Sequence, residues 1–218
     1  MNLVKPQVFL LSNKNYAEML ANVEQSGRVC YKSEANIAPG SAEAFVSSLL
    51  ARGHESVIEH ESITVKVICD RGVTHEIVRH RIASYSQEST RYCNYASEKF
   101  GNEISCVDIA TGFRYNLDDE RDRTKYEIWR SAMCAAEKYY FELIEAGSKP
   151  EEARSVLPNS LKTEIVITMN LREWRHFFRL RTSSRAHPQI REIGEMLLEL
   201  FASRFPVFFA DLLEKNQK

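Results

Sequence analysis

The sequence predicts an α/β fold (α+β in its segregation of elements), held in a single domain of 218 residues. Three features carry that expectation. Ile63, Val65, Val67 and Cys69 alternate with Thr64, Lys66 and Ile68, the two-residue period of a half-buried strand. Residues 164–170, EIVITMN, read as a second strand. Around these two, apolar residues recur at three- and four-residue steps over long stretches, as amphipathic helices require. Composition agrees, with 44% hydrophobic and 27% charged residues, ordinary for a globular protein long enough to bury a sizeable core.

Taken in order, residues 8–11 form a short apolar strand and residues 16–23 carry a helical pattern. Pro39-Gly40-Ser41 opens a helix whose Ala42, Phe45, Val46, Leu49 and Leu50 fall at helical spacing, and Gly53 stands where a C-terminal cap belongs. His54, Glu55 and Ser56 follow at the chain reversal, a common place for function. A zinc motif of the HExxH type starting at His54 would need histidine at position 58, where Ile58 stands. His54 and His60 are six residues apart and share no helix face, so no metal is expected. After the strand at 63–69, Gly72 interrupts, and VTHEIVRHR resumes with helical character, Val73, Ile77 and His80 lying on one side. Arg79, His80 and Arg81 therefore sit at a helix C-terminal end leading into an extended segment. There the helix dipole favours each cation by about 0.3–1 kcal/mol.

Residues 95–124 have the least regular pattern, with Gly101, Gly112 and the charge-dense LDDERDR, and read as an exposed loop. A long helix over 124–146 turns Tyr126, Trp129, Met133, Tyr140 and Leu143 or Ile144 inward. Gly147 caps it, and Pro150 starts a short helix that carries Arg154 and ends near Pro158. After the second strand, LREWRHFFRLR is a helix of two faces. Leu171, Trp174, Phe178 and Arg181 share one; Arg172, Arg175 or His176, and Arg179 share the other. A guanidinium is rarely buried unpaired, so Arg181 on the apolar stripe either reaches out at the helix end or meets something anionic. Beyond Pro188, Ile190, Ile193, Leu197, Leu200 and Phe201 form the core stripe of a packing helix.

The net charge of -1 places any attraction for phosphate in local clusters. Residues 79–92, RHRIASYSQESTRY, gather three Arg, one His, four Ser or Thr and one Gln in fourteen positions. Guanidinium forks and short hydroxyl donors suit phosphate and carboxylate oxygens. Residues 172–191 add six Arg and two His against Glu173 alone. With His54-Glu55-Ser56 and Arg154, these islands point to a site for more than one phosphate. The five Cys (30, 69, 93, 106, 134) form no CxxC pair, which argues against a zinc ribbon or a disulfide framework and predicts free thiols. No run approaches the roughly eighteen apolar residues of a membrane span. The N-terminus shows neither a long apolar region nor a small-residue cleavage site, so a cytoplasmic location is expected.

The RHR triplet at 79–81, then seven residues, then Ser89-Thr90-Arg91-Tyr92 as S-x-R-Y, resembles the signature of flavin-dependent thymidylate synthases. Supporting matches are GHES-x-x-EH at 53–60, AR-x-VLP at 153–158 and N-x-R at 170–172, so the resemblance covers nearly the whole chain. It implies helices around a curved mixed sheet, a homotetramer with active sites shared between subunits, and methylation of dUMP at the uracil C5. Methylenetetrahydrofolate would give the carbon, FAD the hydride, and NADPH would re-reduce the flavin. Neither nucleic acid nor membrane would be a partner.

Carried over position by position, the resemblance assigns dUMP to Glu76, Ile77, Val78, Arg79, Gln87, Glu88, Ser89, Thr90, Arg91, Arg154 and Arg181. It assigns FAD to His54, Ser56, Arg79, His80, Arg81, Gln87, Asn170, Leu171, Arg172 and His176. Arg181 would be catalytic, since uracil C5 attacks poorly until charge is drawn from the ring, and a cation beside that edge stabilises the anion as it forms. Ser89 would lie by the reacting uracil as the second catalytic candidate; with no neighbouring base of the Ser–His kind in the sequence, its first role is binding and a nucleophilic role is the lesser reading. Gln87, Glu76, His176 and Arg185 depart from the residues frequent at their positions (Glu, Gln, Asn and His). Rival readings are a nucleic-acid track with Tyr85, Tyr92 and Trp174 as stacking platforms, a synthase using Cys93 as nucleophile, and a silent nucleotide-binding relative.

Overall fold

A computed structural model describes residues 1–216 of the chain. Strands β1 (Asn2–Val4) and β2 (Gln7–Leu10) lead into α1 (Tyr16–Val29) and α2 (Ser41–Ala51). A 3₁₀ turn over Glu55–His60 precedes β3 (Ser62–Asp70), which passes directly into α3 (Arg71–Ile77). Then come β4 (Ala83–Gln87), β5 (Ser105–Val107), α4 (Ile109–Phe113), α5 (Glu120–Glu145) and α6 (Pro150–Ala153). Strand β6 (Lys162–Asn170) passes directly into α7 (Leu171–Arg181), followed by α8 (Pro188–Arg204) and α9 (Pro206–Asn216).

The α/β expectation is met. One sheet has the order β2–β3–β6–β4, and β1 pairs in parallel with β5. Leu171 N–H donates to the Glu61 carbonyl at 2.9 Å and Arg71 N–H to the Leu161 carbonyl at 3.1 Å, which makes the β3–β6 pairing antiparallel. Ile63, Val65, Val67 and Cys69 are buried, as their alternation predicts.

Contacts gather the chain into two compact units. The first comprises Met1–Gln7, Val67–Arg79 and Ser86–Val166; the second comprises Val8–Lys66, His80–Tyr85 and the chain from Ile167 onward. In the first, Met133 and Tyr140 of α5 pack with Tyr95, Ile104, Cys106 and Leu161. Helix α5 ends at Gly147, whose φ of 93° lies in the left-handed region that glycine tolerates. The region read as a loop holds β5 and α4, elements too short for their periodicity to register. The strand β1 and helix α9 likewise go beyond the sequence reading.

The second unit is built on α7. Asn170 ends β6 and caps the helix, its Oδ1 accepting from Glu173 N–H at 2.8 Å. Trp174, Phe177 and Phe178 are buried with Phe201, Phe205 and Phe209 in a chain of edge-to-face and stacked ring pairs. The Trp174 indole N–H also donates to the Ile63 carbonyl at 3.0 Å. Arg175 departs from the polar face assigned to it. It is 2% exposed, its guanidinium spanning both Asp211 oxygens at 2.7 and 2.8 Å and Glu55 at 2.9 Å. The pairs compensate a charge that helical spacing alone would leave in solvent. Trp174 is fully buried, which removes it as a stacking platform for nucleic acid.

Trp174→Ala should cost about 3–5 kcal/mol through the cavity it leaves in this aromatic cluster. A lowered urea midpoint at unchanged m value is the expected reading.

Candidate active site

Two groups of polar side chains stand out, one in each unit. In the second unit a cleft of about 460 Å³ is lined by Glu55, Glu59, Ile82, Asn170, Arg172, Glu173, His176 and Arg179. Arg172 pairs with Glu59, and Arg179 with Glu55. Burial alone would raise the Glu55 carboxyl, but hydrogen bonds from Arg179 and Arg175 outweigh it and hold the group below its usual range. Ile82 is 68% exposed, an apolar side chain in an otherwise polar cleft.

Along one face of α7, Glu173, Phe177 and Arg181 succeed each other at four-residue steps, and the His80 ring lies against them. His80 is 3% exposed. Its ring centroid is 4.9 Å from that of Phe177. Nδ1 is 3.0 Å from a Glu173 carboxylate oxygen, and Nε2 accepts from Arg181 Nε–H at 3.1 Å. A carboxylate only accepts and a guanidinium only donates, so the proton sits on Nδ1 and the ring is neutral. Burial lowers the ring's pKa from the ordinary 6.5, against the hydrogen bond to Glu173, and the nearby Arg181 charge acts in the same direction as burial. The Tyr85 hydroxyl holds the backbone of the same residue, donating to the His80 carbonyl at 2.6 Å. Gly194 of α8 lets the helices approach here: a Cβ on it would lie 3.2 Å from the Arg181 carbonyl.

His80, Glu173 and His176 bring potential ligand atoms within 4.8 Å of one another, a cluster the sequence reading did not find. Its partners are far apart in sequence, and both His80 nitrogens are already committed to hydrogen bonds. We read it as a hydrogen-bonded relay.

In the first unit, the segment after β4 turns at Ser89, whose Oγ accepts from Arg91 N–H at 3.3 Å. Arg154, from the 3₁₀ turn after α6, donates to Thr90 Oγ1 at 3.4 Å. Arg91 reaches Glu151 only at 3.8 Å and is exposed. Ser89, Thr90, Arg91 and Arg154 thus form a local cradle of cations and hydroxyls suited to one phosphate. Gln87 lies beside it, donating to Thr74 Oγ1 at 3.1 Å and Thr163 Oγ1 at 3.3 Å. The Glu88 carboxylate instead takes Lys162 at 3.0 Å and the Tyr95 hydroxyl at 3.0 Å. That leaves Glu88 as a support of the loop.

The remaining candidates distribute as follows. Ile77 and Leu171 place their side chains in the core, and the Leu171 N–H is held by Glu61. Val78, Arg79 and Arg81 are exposed just past the end of α3, Glu76 is half-buried, and His54, Ser56 and His176 are exposed. Glu55, Glu59, Glu173 and Arg179 join the site without having been assigned to it. Carboxylates paired to arginine over a hundred residues away leave no local pattern. Cys93, the rival nucleophile, has its thiol pushed up by burial and by Glu88, the reverse of activation.

Residues 13–207 match the family described as thymidylate synthase complementing protein. The chain is 39% identical over 169 residues to the flavin-dependent thymidylate synthase of Pyrococcus furiosus, covering 77% of this chain and 66% of that protein. It is 40% identical over 163 residues to the Pyrococcus abyssi enzyme of the same name, covering 74% and 63%. The chain thus spans slightly under two thirds of the length of these relatives. Against the flavin-dependent thymidylate synthase of Geobacter sulfurreducens, identity is 36% over 198 residues, covering 88% of this chain and 81% of that one. In fold it resembles a UMP/dUMP methylase, PolB, from Streptomyces cacaoi, solved with 5-Br dUMP bound. The TM-score is 0.77 over 96% of both chains, at 24% identity.

The depressed pKa of His80 gives a pH prediction. Above the ordinary value of 6.5 its contribution to stability is fully present; as pH falls below that value the unfolded chain takes up a proton that the folded one resists. Melting temperature should therefore fall more between about pH 8 and pH 5, the span over which histidine titrates, in the wild type than in His80→Gln.

Proposed function

This chain belongs to the flavin-dependent thymidylate synthase family, and from that membership and its two arginine-bearing sites we propose that it converts dUMP to dTMP by methylating the uracil C5. Methylenetetrahydrofolate is the carbon donor, FAD carries the hydride and NADPH supplies it. The carbon arrives at the oxidation level of formaldehyde, so one hydride completes the methyl group while tetrahydrofolate and NADP⁺ leave. We place the enzyme in the cytoplasm, as a homotetramer of one-domain subunits whose active sites are shared between them.

The observation that carries this reading is the half-buried Arg181, held in one orientation by a neutral histidine. A fixed cation at the end of an apolar helix face is what a developing uracil anion requires, because it costs no reorganisation during reaction and acts through low dielectric. Ser89, Thr90, Arg91 and Arg154 bind the dUMP phosphate, with Arg79 and Gln87 contributing at its edge. Ser89 serves as a hydroxyl contact to the nucleotide.

The cleft in the second unit fits FAD by its donor set. Arg172 and Arg179 are exposed guanidinium groups paired with carboxylates, weak surface pairs that can turn to a diphosphate. The Asn170 amide adds a donor, and exposed Ile82 offers an apolar surface to a ring system. His54, Ser56, Arg81 and His176 complete the contacts, and Leu171 holds the turn that presents them. Reduced FAD, when bound, supplies the hydride; the chain's own residues bind, orient and stabilise charge.

Purified protein should show an oxidised-flavin absorption spectrum that NADPH bleaches and that dUMP with methylenetetrahydrofolate restores. A colourless protein that binds single-stranded nucleic acid with a steep salt dependence would overturn the reading. Arg181→Ala should lower dTMP formation by a factor of roughly a hundred, the scale of losing one preorganised stabiliser, with a far smaller change in dUMP affinity. Cys93→Ala should retain activity.

A further inference from the structure

We propose that Glu173 is a positioning residue for this reaction, acting through His80 to fix the guanidinium of Arg181. The inference rests on the function proposed above and adds a residue to it.

The geometry requires it in three steps. Glu173 lies in the first turn of α7, and Arg181 in its last turn. The eight-residue step from one to the other corresponds to about 12 Å of helix rise, too far for direct contact. The His80 ring bridges that gap, seated on Phe177, with one nitrogen toward each end. An imidazole between two partners has two neutral tautomers. Only the one protonated on Nδ1 presents a bare Nε2 to the Arg181 Nε–H; the other sets donor against donor. Glu173 selects the useful tautomer, because an ionised carboxylate can only accept. The protonated ring would also place a donor and a second positive charge against Arg181. Burial and the nearby His176 and Arg181 favour the neutral form, against Glu173.

The place of Glu173 in the first turn of α7 suits an acid to the helix dipole, the His80 ring takes its carboxylate, and the helix start is capped by Asn170. Asparagine caps the helix, and Glu173 is left to hold His80. Glutamine at 173 keeps the size but can offer its amide N–H to Nδ1, which releases the tautomer.

The test compares wild type, Glu173→Gln, Arg181→Ala and the double variant, all with flavin bound. Glu173→Gln should lower kcat for dTMP formation roughly tenfold, the scale of one misdirected hydrogen bond to a charged group, while KM for dUMP stays within about twofold. In the Arg181→Ala background the same substitution should have no further effect, since the two changes act on one unit. Nitrogen NMR of ¹⁵N-histidine protein, with His80 assigned by its loss in His80→Gln, should show the Nδ1–H tautomer in wild type and a mixture in Glu173→Gln. An unchanged kcat, an equal loss in both backgrounds, or a wild-type ring protonated on Nε2 overturns the proposal. The NMR result stands apart from turnover: if wild type makes no dTMP, the proposed function fails, and the tautomer still decides whether Glu173 sets the ring.

Discussion

Backbone hydrogen bonds from Leu171 to Glu61 and from Arg71 to Leu161 frame the antiparallel pairing of β3 with β6, and the placement of the site depends on that register. Each strand runs without a loop into a helix, and its last residue caps that helix: Asp70 accepts from Val73 N–H at 2.7 Å, and Asn170 from Glu173 N–H at 2.8 Å. The start of α3 and the start of α7 are therefore fixed by strand residues. A one-residue slip would turn Ile63, Val65 and Val67 to the other face of the sheet. It would also rotate α7 by about 100° relative to the strand that feeds it, carrying Glu173 and Arg181 away from His80.

The charges of α7 are sorted by what they meet. Arg175 lies in the interior because Asp211 and Glu55 both reach it, and a buried guanidinium with two carboxylates is tolerated where a lone one is not. Arg172 and Arg179 lie at the surface of the cleft with single carboxylate partners. Arg181 stands between these cases, half-buried, with its Nε on an uncharged ring. A ring nitrogen that only accepts fixes the direction of the Arg181 Nε–H without adding a charge of its own.

The two groups of donors differ in their chemistry. The Ser89–Arg91 turn and Arg154 offer compact donors around one point, suited to a monophosphate. The cleft lined by Arg172, Arg179 and Ile82 mixes charge with exposed apolar surface, as a ligand with a diphosphate and a ring system needs. Within the RHRIASYSQESTRY stretch, Arg79 and residues 86–92 belong to the first unit and His80–Tyr85 to the second.

By itself the sequence determined the α/β class, both long strands, the α2, α5, α7 and α8 helices and the arginine-rich stretches, because alternation, helical periodicity and capping residues are local. The RHR signature also pointed to the family. It could not place β1, β5, α4 or α9, whose lengths or side-chain patterns are too short or too ambiguous to register. Nor could it tell Arg175 from Arg172, since inward and outward positions on a helix differ by what lies opposite, and Asp211 lies opposite only after folding. Nor could it find that Arg181, ambiguous on its apolar stripe, donates to His80, a hundred and one positions upstream. Only tertiary structure brings a carboxylate, an imidazole and a guanidinium into one line, because hydrogen bonds across such separations depend on packing and leave no periodic trace in the chain.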